Sequence, residues 1–162
     1  MRTFNTEITE TTEMSSAPIN QVTEQIIGAA IEVHREKGPG LLESAYESCL
    51  AHELGLRGLQ DARQVPIPLV YKGITIDIAF RADLIIADTV LVELKAIEHI
   101  LPVHKAQVLS YVRETGHQIG LLINFHVHKL VDGVTRVVND RFISATSVAS
   151  VLKSPVSIVQ AK

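Results

Sequence analysis

The chain has almost no cysteine and no long apolar segment. Cys49 is the only cysteine among 162 residues, so an internal disulfide is excluded and a reducing cytoplasm is the expected compartment. No apolar run approaches the ~20 residues needed to span a bilayer. The stretch from Met1 to Glu7 lacks the basic-then-apolar pattern of a signal peptide. We therefore expect a cytoplasmic protein with no membrane partner.

The chain also has no excess of positive charge. The formal net charge is −3, whereas proteins that coat nucleic acid non-specifically need clustered Lys and Arg. Any basic surface must therefore be local, although a metal-dependent nuclease is not excluded. The sequence also lacks a glycine-rich phosphate loop, a Walker-type lysine, a nucleophilic serine elbow and a Cys/His zinc array.

Length and composition predict one domain. A chain of 162 residues, 46% of them hydrophobic, is large enough for a single core. Residues 1–17 are rich in Thr, Ser and Glu and are predicted to form a disordered leader. Residues 18–140 are the predicted folded domain. Residues 141–162 are predicted to be a C-terminal docking segment or tail.

Three helices are predicted from the spacing of apolar side chains and from boundary residues. Asn20 is the predicted N-cap of the first helix, and Gly38-Pro39-Gly40 is the turn that starts the second. A proline in the first turn and a glycine after the last mark the third helix. The predicted helices run from Asn20 to Lys37, from the Gly40 turn to about Leu56, and from Pro102 to near Gly116.

The strands are predicted from alternating or continuous apolar residues between turn residues. Pro66 and Pro68 cannot donate to a ladder, so their strand should lie at a sheet edge or leave one N–H side free. The apolar run between Gln118 and Val127 should lie in the middle of the sheet. The other predicted features are a turn at Lys72-Gly73, a long strand from Ile74 to Ile86, and a hairpin turn at Asp132-Gly133 into Val134 to Val138.

One predicted hairpin carries charge inside strand-like segments. Its strands run from Phe80 to Ile86 and from Val90 to Ala96. If Ile86 lies opposite Val90, antiparallel counting places Asp83 opposite Glu93. The pleat then puts Arg81, Asp83 and Ile85 on one face, and Leu91, Glu93 and Lys95 on the matching face of the next strand.

Two opposed carboxylates need a proton or a cation between them. Oxygen ligands with water suit Mg²⁺ or Mn²⁺ better than Zn²⁺, and Lys95 would then stabilise developing negative charge or position a water. In a second interpretation, Arg81 and Lys95 only neutralise Asp83 and Glu93 as ion pairs on a surface. The alternating pattern alone is compatible with both.

The sequence also resembles a known nuclease family. Asp83, followed after nine residues by Glu93-Leu94-Lys95, is similar to the Asp…Glu-x-Lys core of the PD-(D/E)XK nuclease superfamily. The segment Gly40-Leu41-Leu42-Glu43-Ser44-Ala45-Tyr46, with Pro102 to Gln107 downstream, resembles the signature of the GxxExxY family within that superfamily. The resemblance covers about residues 19–139. It implies an α/β fold with a restriction-endonuclease-like core, in which helices flank a mixed central β-sheet.

The resemblance and the hairpin geometry together define the candidate site. Asp83 and Glu93 are the predicted metal ligands, and the resemblance adds Glu43 from the second helix. Lys95 is the predicted catalytic cation. The resemblance also places Gln107 where its amide orients water, phosphate or Lys95. The predicted substrate contacts are Arg81, His104, Tyr111, Tyr46 and His34.

These residues predict a divalent-metal-dependent phosphodiesterase that uses Mg²⁺ or Mn²⁺ and cleaves DNA or RNA. The alternative is a catalytically inactive module of the same fold that binds nucleic acid or a protein partner. The slightly acidic, short chain favours this alternative, and the presence of the full residue set favours the enzyme. A homo-oligomer built on the C-terminal segment is a third possibility.

Overall fold

The computed structural model describes residues 16–142 and 157–159. Helix α1 spans Ser16–Lys37 and α2 spans Glu43–Leu56. The prediction that α1 begins at Asn20 was wrong, since Asn20 lies inside the helix and its Oδ1 accepts a hydrogen bond from Arg136 at 2.6 Å. The predicted leader lies outside the described residues up to position 15.

The turn between α1 and α2 forms as predicted. Gly38 and Gly40 have φ of +66° and +112°, values that residues with a Cβ rarely adopt. The hydroxyl of Tyr46 donates to the Gly38 carbonyl at 2.5 Å and accepts from the Leu41 N–H at 3.1 Å. The turn that starts α2 is therefore held from inside the protein by a side chain of α2 itself.

Strands β1 (Asp61–Tyr71) and β2 (Ile74–Ile86) form a long antiparallel hairpin. Its turn is at Lys72 and Gly73, both with positive φ, which matches the right-handed twist of the two strands. β1 lies at one edge of the sheet. Both the turn and the edge position confirm the prediction made from Lys72-Gly73 and the two prolines.

Strand β3 (Val90–Lys95) pairs antiparallel with β2, and Ile86 lies opposite Val90 as predicted. Helix α3 (Pro102–Thr115) then crosses over, so that β4 (Ile119–Asn124) lies parallel to β3. Every residue of β4 is buried, which confirms the predicted central strand. Gly116, with φ of +77°, ends α3.

The chain between β4 and β5 (Val134–Val138) differs from the prediction. Leu130–Gly133 is a 3₁₀ helix, not a two-residue hairpin turn. A Cβ on Gly133 would lie 2.2 Å from the Asn124 carbonyl oxygen. Glycine is therefore needed at this position because the backbone approaches β4 closely.

Within the described residues the sheet has six strands in the order β1-β2-β3-β4-β5-β6, where β6 is Ser157–Val159, parallel to β5. Part of the segment predicted as a docking segment or tail thus pairs with the sheet. One core lies between the sheet and α1 and α2, and a second lies under α3. This mixed sheet between helical layers confirms the predicted α/β fold. None of the described helices is long and apolar enough to cross a membrane.

Candidate active site

The candidate site lies where β2 and β3 separate. The last paired residues of the two strands are Leu84 and Val92. Immediately beyond them, Asp83 Oδ2 accepts a hydrogen bond from the Leu94 backbone N–H at 2.8 Å. Asp83 is therefore brought beside Glu93, as the register predicted, but it bonds the backbone of β3 instead of completing a regular pair.

Glu93 is a buried carboxylate that is only half satisfied. The residue is 4% exposed, Oε1 accepts from Lys95 Nζ at 3.0 Å, and Oε2 is buried with no hydrogen-bond partner among the described residues. Burial, followed by the nearby charge of Asp83, raises the pKa of Glu93 to about 7, although Lys95 acts in the opposite direction. A carboxyl group so placed gains strongly from any cation that reaches Oε2.

The pKa values of Asp83 and Lys95 are also raised. Burial raises the pKa of Asp83, and the hydrogen bond from Leu94 partly offsets this rise. Burial alone would lower the pKa of Lys95, but its hydrogen bond to Glu93 and the charges of Glu93, Glu43 and Asp83 raise it overall. Lys95 therefore remains an ammonium ion at neutral pH, which suits charge stabilisation better than proton abstraction.

Helix α2 brings two acidic side chains to this place. Glu43 Oε1 accepts from the Ala96 N–H at 3.2 Å, so the first turn of α2 is fastened to the end of β3. Glu47, one turn later, is buried and accepts from Arg63 Nε at 2.8 Å and from Gln64 Nε2 at 2.6 Å.

Glu47 and Gln64 were missed as site residues from the sequence. The helical spacing of Glu47 after Glu43 was the available signal. Gln64 gave no signal, because only the folded β1 aims its amide at Asp83 Oδ1, 3.3 Å away.

Helix α3 contributes Gln107 and Tyr111, which lie one turn apart. Gln107 Nε2 donates to the Tyr111 hydroxyl at 2.5 Å. Burial raises the pKa of Tyr111, and the charge of Glu93 adds to the rise, so the phenol lies within electrostatic reach of the carboxylates. Gln107 is bonded to that phenol, and the roles predicted for both side chains at the site remain predictions.

Other predicted substrate contacts have structural partners. The Nδ1 atom of His104 accepts from the Leu101 N–H at 3.0 Å and caps α3. Arg81 is exposed, and its Nη1 donates to the Gln64 carbonyl at 3.4 Å, which leaves it near the site but not bonded to Asp83.

Tyr46 and His34 disagree with their prediction as substrate contacts. Tyr46 is 0% exposed and stacks on Phe125 with 4.2 Å between ring centroids. His34 is buried, and its Nε2 donates to the Val127 carbonyl at 2.9 Å. Both rings serve the core on the α1 and α2 side of the sheet.

The carboxylates fit a hard divalent cation. The unpartnered Glu93 Oε2 and the adjacent Asp83 supply oxygen ligands, which Mg²⁺ and Mn²⁺ prefer. Among residues 16–142 and 157–159, no group of three Asp, Glu, His or Cys side chains is gathered closely enough to hold an ion alone. Water or substrate oxygens would have to complete the coordination, as is usual for Mg²⁺.

Comparison with known proteins assigns the family. A family model of the PD-(D/E)XK nuclease superfamily matches residues 20–137, a range that contains every site residue described above. The chain belongs to the PD-(D/E)XK nuclease superfamily. PD-(D/E)XK nucleases generally use divalent metals, and membership indicates a nuclease-type function. No curated protein and no solved structure matches the chain.

Proposed function

We propose that this PD-(D/E)XK protein is a divalent-metal-dependent phosphodiesterase that cleaves DNA or RNA, and that it is a GxxExxY-type member of the superfamily. Asp83 and Glu93 would hold Mg²⁺ or Mn²⁺. Glu43 was predicted as an additional or outer ligand, but within the described residues it is not gathered with the other two carboxylates closely enough to bind the same ion directly, so it would act as an outer charge. The observation that carries the proposal is the buried Glu93 Oε2, which lies beside a second carboxylate and has no hydrogen-bond partner in the part of the chain that the structure describes. Leaving such an acceptor unsatisfied is costly, and a cation offsets the cost.

A divalent ion held by Asp83 and Glu93 would supply Lewis-acid activation of the phosphate and of the attacking water. The protein's own groups hold the charges around it. Lys95, kept cationic by its acidic neighbours, offsets the negative charge that grows on the phosphorane oxygens. Gln107 and the Tyr111 hydroxyl, already bonded to each other, orient water or the phosphate by hydrogen bonding.

A separate cavity, lined by none of the site residues described above, lies at one end of the sheet. It has a volume of about 540 Å³ and lies at the end of β4, where Asn124 pairs with Lys95 of β3. That volume is within the ~300–1,000 Å³ range of small-molecule sites. Lys105 brings a positive charge to its lining, Glu98 and Asp132 bring negative charges, and Val131 and Val134 supply apolar surface. We propose that Lys105 contacts a substrate phosphate there.

The proposal is tested by calorimetric titration of Mn²⁺ into wild type, Asp83→Asn and Glu93→Gln. These variants keep the shape of each side chain and remove its charge. We expect binding in the wild type and its loss in both variants, followed by metal-dependent cleavage in a screen of DNA and RNA substrates.

The chain also offers a control for the titration. Asp77→Asn removes one carboxylate from the exposed part of β2 and should leave Mn²⁺ binding unchanged. Absence of binding by folded wild-type protein, with or without nucleic acid, would contradict the proposal. Metal binding without cleavage of any substrate would favour the inactive binding module.

We further propose a cytoplasmic location.

A further inference from the structure

Gln64 has an unusual backbone conformation for a residue within a strand. Its φ is +51°, in the left-handed region that residues with a Cβ enter only at a cost. The register is the same immediately before and after it, since Arg63 pairs with Leu84 and Val65 pairs with Ala82, and the register shift of this ladder lies farther along, after Ile67. The distortion is therefore confined to the residue that stands across from Asp83.

The distortion places the Gln64 amide between two carboxylates on different elements. Its Nε2 donates to Glu47 Oε2 of α2 at 2.6 Å and to Asp83 Oδ1 of β2 at 3.3 Å. A primary amide has two N–H groups, so both of its donors are in use. Gln64 thus joins the helix to the strand that carries the proposed metal ligand.

The helix end of this connection is itself held firmly. Glu47 is 6% exposed, and its other oxygen accepts from Arg63 Nε at 2.8 Å. Arg63 Nη2 also donates to Ser48 Oγ at 2.9 Å. The carboxylate that receives the Gln64 amide therefore has little freedom to move.

At Asp83, the Gln64 amide adds a second hydrogen bond to the one from the Leu94 backbone N–H. Leu94 N–H holds Oδ2, and Gln64 holds Oδ1. The terminal torsion of aspartate is soft, so a single bond would leave the carboxylate free to rotate about it. Two donors on the two oxygens define the plane of the carboxylate and the lone pairs that remain for another ligand.

We propose that Gln64, anchored by Glu47, is a positioning residue that orients Asp83 for the divalent metal. This inference rests on the proposed function, because it takes Asp83 to be a metal ligand. A glutamine is suited to this position because it is a neutral donor, whereas an acidic residue would add a further negative charge beside Asp83 and Glu47. Residues that orient metal ligands typically contribute about 10- to 100-fold in affinity.

The test compares Mn²⁺ affinity with the thermal stability of the metal-free protein in wild type, Gln64→Gly and Gln64→Met. Glycine accepts a positive φ without strain and removes the amide, and methionine keeps the length of the side chain without its donors. We expect Mn²⁺ affinity to fall about tenfold or more in both variants. The melting temperature of Gln64→Gly should be retained, since relief of the strained φ opposes the loss of the hydrogen bonds.

A matched control is Arg57→Ala. This substitution removes the ion pair between Arg57 and Glu53 at the end of α2, and neither residue contacts Asp83. It should leave Mn²⁺ affinity unchanged. Wild-type affinity in folded Gln64→Gly or Gln64→Met, together with loss of binding in Asp83→Asn, would overturn this inference and leave the proposed function intact. Undiminished binding in Asp83→Asn, or no binding in wild type, would overturn both.

Discussion

The Asp83 carboxylate accepts a hydrogen bond from the Leu94 backbone N–H, with 2.8 Å between Oδ2 and the nitrogen. This side chain takes the place of a ladder bond at the point where β2 and β3 diverge, directly after the Leu84 and Val92 pair. Leu94 lies between Glu93 and Lys95, so the bond also holds the backbone that carries both charged groups. Asp83 therefore has a structural role and a proposed metal-binding role at once.

The free energy of unfolding of the metal-free protein should depend on Glu93. Its pKa rises from 4.5 to about 7 on folding, so the folded state prefers the protonated form. The stabilisation from Glu93 is therefore complete below pH 4.5 and is lost as the pH rises through 7. Relative to wild type, Glu93→Gln should gain roughly 3 kcal/mol of stability across that interval, since each pKa unit corresponds to about 1.4 kcal/mol.

Urea denaturation of both proteins in chelator, at pH 4.5 and at pH 8, measures this change. A stability difference between them that is independent of pH would contradict the elevated pKa. Saturating Mn²⁺ at pH 8 should stabilise the wild type and leave the variant unaffected, since ligand binding to the folded state adds stability.

Lys95 should contribute to the rate of the reaction and not to metal binding. Lys95→Met removes the ammonium 3.0 Å from Glu93 Oε1, and we expect kcat to fall roughly 10²- to 10³-fold, as for other groups that stabilise transition-state charge. Mn²⁺ affinity should be equal or higher, because a cation no longer competes for Glu93. Lys95→Arg retains the charge and serves as the control. A loss of metal affinity as large as the loss of kcat would instead assign Lys95 a structural role.

Gly120 should be intolerant of a side chain. A Cβ at this position of β4 would lie 2.5 Å from Val108 Cγ1 and 3.0 Å from Val112 Cγ1, so Gly120→Ala forces α3 away from the sheet. We expect a loss of about 1–3 kcal/mol in the free energy of unfolding, typical of overpacking. The double variant Gly120→Ala/Val108→Ala should lose less than the sum of the single changes.

Gly55 provides the control for Gly120. It lies in α2, where a Cβ would meet no atom within 4 Å, and Gly55→Ala should therefore stabilise the protein by up to about 1 kcal/mol, because alanine favours the helix. Equal effects of the two substitutions in urea denaturation would show that close packing against α3 is not the reason for glycine at position 120.

Lys105 should strengthen nucleic-acid binding through a phosphate contact. It lines the cavity at the end of β4, and Lys105→Ala should weaken binding of all sequences about equally and reduce the salt dependence of affinity by about one unit of slope. Arg35→Ala on α1, whose side chain is 70% exposed, changes the net charge by the same amount and is the matched control. If both variants weaken nucleic-acid binding equally in fluorescence anisotropy, the effect comes from the overall charge of the protein and not from a phosphate contact of Lys105.

Several features of the site followed from local rules of chain geometry. The pairing of Ile86 with Val90 and the alternation of a strand were enough to bring Asp83 and Glu93 together. The position of Pro102 and Gly116 was likewise enough to bound α3. These features involve residues that are close in sequence. For such residues, the length of the turn and the alternation of side chains along a strand allow few possible pairings.

Other features could not be predicted because they join residues that are distant along the chain. Gln64 reaches Glu47 and Asp83, which are 17 and 19 positions away in the sequence. Its positive φ could not be predicted either, because a glutamine in the sequence does not indicate a positive φ. Tyr46 and His34 carry polar groups that suggested substrate contact, yet each satisfies a backbone carbonyl in the core. Burial and partners such as these depend on how the helices pack on the sheet.

The sequence by itself therefore determined the order of the elements, the register of the charged hairpin and the acidic and basic residues available for chemistry. Only the tertiary structure decided that Glu93 Oε2 is buried with no partner within residues 16–142 and 157–159, that Lys95 remains cationic and that α2 holds Asp83 through Gln64. Periodicity and turn residues act over a few positions, whereas desolvation and electrostatic environment arise only when separate elements are packed together.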